Sequence, residues 1–100
     1  MAYVTRLERV RGGIADLAIA REQVETQISV LAEVQLKLRA QQAMAVKMGR
    51  PDIAELAAGR IRLADEQISE LTAQQGALRE RIRKLAETAQ RLEARIPERH

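Results

Sequence analysis

The chain has 100 residues, with Tyr3 as its only aromatic, no Phe, Trp or Cys, and 17 basic residues against 14 acidic ones for a net charge of +3. Such a chain cannot fill a conventional globular core, where rings and branched aliphatics supply most of the buried area, and it has no thiol for a disulfide scaffold, a nucleophile or a metal ligand. The remaining stock of Ala, Leu, Ile, Arg, Glu and Gln is the vocabulary of long helices and coiled coils.

In chain order, the first signal is Thr5-Arg6-Leu7-Glu8, which fits a capping box and predicts that a helix starts at Thr5. From there Leu7, Val10, Ile14, Leu17, Arg21, Val24, Ile28, Leu31, Gln35, Leu38, Gln42 and Ala45 recur at steps of three and four, a heptad seam whose d positions are all apolar. Gly12 and Gly13 interrupt it at about 1 kcal/mol each relative to alanine, so fraying or a kink is expected in the first two turns. Gly49 suits a left-handed helix stop, Pro51 the first turn of the next helix, and Asp52 and Glu55 the positive end of its dipole. A second seam runs through Ala57, Ile61, Ala64, Ile68, Leu71, Gln75, Leu78, Ile82, Leu85, Ala89, Leu92 and Ile96, and Pro97 ends it. The expected fold is all-α: a long antiparallel two-helix coiled-coil hairpin, about 5–48 and 51–96, with the turn at 49–52. The whole chain forms one domain that packs into an oligomer.

Folding the chain at that turn so that seam meets seam sets Leu38 against Ala64, Leu31 against Leu71, Val24 against Leu78, Leu17 against Leu85 and Val10 against Leu92. No layer then holds two polar residues, because Gln35 faces Ile68, Gln75 faces Ile28 and Arg21 faces Ile82. The same register opposes Arg39 to Asp65, Glu25 to Arg79 and Arg11 to Glu93. Charge played no part in choosing it, so three pairs of opposite sign support the alignment more than the stability.

On the other flank, Val30, Val34, Met44, Met48, Ile53, Leu56 and Leu63 form a second apolar strip facing away from the seam. Exposed strips of this kind mark contact surfaces, and this one is expected to be an interface between copies of the chain. Basic residues gather toward the two ends of the sequence. Arg6, Arg9, Arg11, Arg79, Arg83 and Lys84 are the candidates for contact with an anionic surface.

Chemistry finds little foothold. His100 stands alone without a second ligand at metal-binding spacing, and carboxylate pairs such as Glu66 and Glu70 sit on a helix face with no concavity to tune them for acid or base work. The run Arg79–Lys84 is interleaved with Glu80 and lacks an aromatic platform for bases. No enzyme, cofactor, metal, small-molecule substrate or nucleic acid is expected. No stretch approaches the roughly 18 apolar residues of a membrane span, and residues 1–10 lack a signal-like apolar run, which leads to the expectation of a cytoplasmic chain.

The segment Ala43–Gln74 resembles the core hairpin of the phage-shock protein A family, bacterial relatives of the ESCRT-type membrane remodellers. Their two longest helices meet at a Gly-Arg-x-Asp-Leu-Ala turn followed by Ala and Arg at helical spacing. The matching positions are Gly49, Arg50, Asp52, Ile53, Ala54, Ala57 and Arg60, with Gln67, Leu71 and Gln74 beyond. The resemblance covers roughly 15–96, and its turn motif is more specific than its heptads. It implies hairpins assembled side by side at the inner face of the cell membrane, acting in envelope stress or membrane maintenance. Typical members are longer, with an amphipathic helix before the hairpin and more helices after it, so a short member is expected to join assemblies of longer homologues. Two other classes fit the same helices. One is an adaptor or chaperone-like hairpin gripping partners through the strip, and the other is the secreted hundred-residue hairpins with Trp-x-Gly at the turn, although Met48-Gly49 lacks the tryptophan.

Overall fold

The structure, a computed structural model, describes residues 2–97. Among them are two α-helices and no strand: α1, Ala2–Lys47, and α2, Pro51–Arg95, of 46 and 45 residues. The chain is a helical hairpin, and its contacts group into two compact units, residues 24–74 around the turn and residues 2–23 with 75–97. These are called the turn unit and the distal unit below.

Every expected seam position is buried or half-buried in its own unit. The buried side chains of the turn unit are Val24, Leu38, Ala45, Ala54, Ala57, Ile61 and Ala64, and of these only Ala54 lies outside the seam as read from the sequence. It extends that seam by three residues toward the turn. In the distal unit Leu7, Ala89 and Leu92 form the core, with Val10, Ile14 and Ile96 packed against it. Val10 beside Leu92 is the pairing the register requires. Arg11 Nη2 donates to Glu93 Oε1 at 2.6 Å, the expected flanking pair.

Four local expectations need correction. Helix α1 begins at Ala2, so Thr5 lies within its first turn and the capping box does not mark the start. Within the added residues Val4 is half-buried, and Tyr3 meets α2: the Arg95 guanidinium stands 5.9 Å from the centre of its ring, a cation–π distance. The glycines do not break α1, which runs unbroken through Gly12 and Gly13. Leu85 Cδ1 lies 3.5 Å from where a Gly13 side chain would begin, an ordinary contact distance, so packing does not demand glycine there. Asp65 accepts its hydrogen bond from Gln35 Nε2 in place of Arg39, one turn along the same helix. Gln35, read from the sequence as a seam residue facing Ile68, thus reaches out to the flank position of Asp65. Finally, α2 stops at Arg95 with the Ile96 amide bonded to the Glu93 carbonyl at 3.1 Å. The residue before a proline avoids the helical region, so Pro97 fixes this end one residue early.

Candidate interaction surfaces

The turn is built from backbone chemistry. At the end of α1 four carbonyls lack helical partners. Two are satisfied in the Schellman pattern: the Arg50 amide donates to the Ala45 carbonyl at 2.8 Å and the Gly49 amide to the Val46 carbonyl at 3.1 Å. That geometry requires a left-handed residue, and Gly49 has φ +69°. Pro51 opens α2 at the position where a missing amide proton costs nothing, and the Arg50 carbonyl takes the first helical bond from Ala54 at 3.1 Å. Arg50 Nε and Nη2 each reach an Asp52 oxygen at 3.4 Å. That guanidinium, followed by the Ile53 amide, holds the Asp52 carboxyl below its ordinary range. Gly49, Arg50, Pro51 and Asp52 are thus all engaged in making the reversal.

The turn unit places the expected apolar strip outside. Val30, Val34, Met44, Met48, Ile53, Leu56 and Leu63 are all exposed, Leu56 at 64% and Met48 at 69%. The buried seam of the same unit is rich in small side chains, Ala45, Ala54, Ala57 and Ala64, beside Leu38 and Ile61. Farther from the turn, an open groove between the helices is lined by Val30, Leu31 and Leu71, with Gln27, Gln67 and Gln74 among the amide groups at its sides. Leu31 and Leu71 share this groove as the register predicts.

The basic candidates have different surroundings. Arg83 is held between two carboxylates, with Nε and Nη2 on Glu80 at 3.0 and 2.6 Å and Nη1 on Glu87. Those contacts raise the Arg83 pKa, and Arg83, helped by Lys84, lowers that of Glu80. Arg11 is paired with Glu93, and Arg79 also has a partner. Arg6 and Arg9 instead border a groove of the distal unit with Val10, Thr88 and Leu92. Lys84 is exposed and gives its carbonyl to the Thr88 hydroxyl.

Comparison of the chain with protein-family models, with curated proteins and with solved structures finds no match in any of the three. Among the described residues no cluster of three His, Cys, Asp or Glu is placed to hold a metal ion, and no helix is long and apolar enough to cross a membrane.

Two features escaped the sequence reading. Leu36 and Val46 are exposed at 69% and 66% and enlarge the apolar outside of α1 in the turn unit. Both stand off the seam in the heptad register, which is the signal that identifies them. Arg91, read only as one of the basic residues near the end of the sequence, was not singled out; its Nη2 donates to Thr88 Oγ1 at 3.3 Å, and Thr88 lines the groove that Arg6 and Arg9 border. Its spacing from Thr88, one turn along α2, was available in the sequence. Only the pairing of the helices connects it with residues of α1.

Proposed function

We propose that the chain is a non-enzymatic, self-associating helical hairpin of the phage-shock protein A type. In this reading it acts in envelope stress or membrane maintenance by assembling with copies of itself and with longer homologues at the membrane surface. The observation that carries self-association is the exposed apolar strip of the turn unit. Four alanines, Ala45, Ala54, Ala57 and Ala64, share the buried seam with Leu38 and Ile61, while Met44, Met48, Leu56 and Leu63 stand in solvent. Apolar burial stabilises by about 25 cal/mol per Å², so large side chains left outside an alanine-rich seam offer further stabilisation to a partner surface. A second copy offers the same strip and the same alanine-narrowed helices.

The turn supports the phage-shock part of the reading, because Gly49, Arg50, Asp52, Ile53 and Ala54 match the family's reversal and each of the first three has a defined task in it. The test is the molecular mass of the parent and of the Leu56→Glu/Leu63→Glu variant by light scattering, with helicity followed by circular dichroism. The parent is expected to form assemblies visible by electron microscopy and the variant to fall to a single chain. A single-chain mass for the parent, or an unchanged mass for the variant, overturns self-association through the strip.

A further inference from the structure

Two members of the apolar strip differ from the rest in chemistry. Met44 and Met48 carry thioethers, whereas the others, among them Val34, Ile53 and Leu56, carry only hydrocarbon. A thioether gives an electron pair to a peroxide and becomes a sulfoxide. The chain has no cysteine, so no thiol competes for a two-electron oxidant. Both side chains are open to one, Met44 at 57% exposed and Met48 at 69%. They also stand together. The Met48 amide donates to the Met44 carbonyl at 2.9 Å, so the helical turn is kept past the end of α1, and side chains four residues apart leave from one face. Met1, the third methionine, lies outside the described residues.

Oxidation removes what methionine brings to an interface. The thioether is apolar and adapts to an irregular partner surface. The sulfoxide is polar, and burying it costs free energy unless it finds a hydrogen-bond donor. The aliphatic side chains of the strip supply none. We propose that Met44 and Met48 are an oxidation site that governs assembly: a peroxide converts both to sulfoxides, and the oxidised strip releases its partner copy. At each sulfur the lone pair attacks one peroxide oxygen, the O–O bond breaks as the S–O bond forms, and the sulfur gives up two electrons. The other oxygen takes the proton of the transferred one and leaves as water, or as an alcohol from an organic hydroperoxide. Methionine sulfoxide reductases, one for each epimer, reverse the change. Because association covers the same surface, assembly in turn shields the thioethers. The proposal rests on the self-association reading above and gives that surface a control.

The experiment follows mass by light scattering, and oxygen uptake at each methionine by peptide mass spectrometry, on the full chain before and after hydrogen peroxide. The parent should start assembled and fall toward a single chain as Met44 and Met48 each gain one oxygen. Burying a methionine is worth about a tenfold gain in affinity or somewhat more, so oxidising the pair should raise the concentration for half assembly by about a hundredfold. Both sulfoxide reductases with dithiothreitol should then remove the two oxygens and restore the mass. Leu56→Glu/Leu63→Glu, as a single chain, should oxidise at both sites several times faster than the assembled parent. Met44→Gln/Met48→Gln should lose mass with no oxidant present while circular dichroism shows its helices kept. A parent that assembles and holds its mass with both sulfurs oxidised overturns the switch and leaves self-association standing. So does a fall in mass that follows oxygen on Met1 alone, or one that the reductases do not reverse. Equal oxidation rates in the parent and in Leu56→Glu/Leu63→Glu would mean that association leaves the two methionines uncovered, and would overturn the site as well. A single-chain parent before any peroxide overturns both proposals.

Discussion

Next to the turn, Ala45, Ala54, Ala57 and Ala64 share the seam with Leu38 and Ile61 while methionine and leucine face solvent; in the distal unit Leu7 and Leu92 close on Ala89 with Val10, Ile14 and Ile96 around them, and charged pairs stand outside. Both units are pairs of the same two helices built on one heptad grammar, so the difference lies in where bulk is placed. The distal unit buries its large side chains within its own helix pair, with Leu7 and Leu92 at the centre. The turn unit gains less from its own seam and holds an apolar outside in reserve. Stability should therefore be intramolecular in one and depend on association in the other.

The largest expected effect on folding comes from breaking the distal core. Leu92→Ala removes a buried leucine from the cluster with Leu7 and Ala89, and such truncations cost about 2 to 5 kcal/mol. Because the loss is internal to the unit, the drop in melting temperature should not vary with protein concentration. The complementary change in the turn unit is Ala64→Leu, which forces bulk into a seam position only 4% exposed. Overpacking of this kind costs about 1 to 3 kcal/mol. A leucine accepted at Ala64 without loss, in a chain still tightly assembled, would show that small size at the seam is not what the turn unit requires, and the contrast between units would fail.

Glycine sharpens the same comparison with effects of opposite sign. Gly49 holds φ +69° at the turn, where a β-carbon costs about 1 to 2 kcal/mol. Gly12 lies inside α1 of the distal unit, with open space where a β-carbon would stand, and alanine there gains about 1 kcal/mol. Thermal melts of Gly49→Ala and Gly12→Ala should move in opposite directions. A stabilised Gly49→Ala would contradict the left-handed helix stop.

These residues also show how far the sequence could be read. The seam, the antiparallel register and the left-handed Gly49 follow from heptad spacing and turn chemistry, which are local or periodic properties. The Arg11–Glu93 pair followed from register alone. What failed depended on neighbours that spacing does not contain. Thr5 reads as a cap until Tyr3 finds Arg95 and the helix extends past it. Gly12 and Gly13 read as a weak point, yet α1 runs through both. Asp65 reads as the flank partner of Arg39, and the heptad does not reveal that the seam residue Gln35 bonds it instead. The groove at Arg6 and Arg9 was half legible: its α1 arginines were visible, and the partners of Arg11 and Arg83 follow from register and helical spacing, but only packing shows that Thr88 and Leu92 of α2 line the groove with them.

The smallest effect is protonic and lies at the turn. Asp52 has an ordinary carboxyl value of 3.8, lowered in the fold first by the Arg50 guanidinium and then by the Ile53 amide. A carboxylate whose folded value lies below its unfolded one stabilises the fold above the unfolded value and loses that contribution as the pH falls through the folded value. The turn should thus be indifferent to pH above about 5 and weaken only below 3.8, from its α2 side. Glu80 in the distal unit follows the same sign from an ordinary value of 4.5, through Arg83. Carboxyl chemical shifts followed by NMR should place the Asp52 midpoint below 3.8, and Arg50→Gln should move it back toward that value without reaching it, since the Ile53 amide remains. The Glu80 midpoint should not respond to Arg50→Gln at all. A midpoint for Asp52 that ignores the loss of Arg50 would mean that the arginine of the turn motif does no electrostatic work on α2, and that the helix start alone, with Pro51 and the free first-turn amides, sets the charge state there.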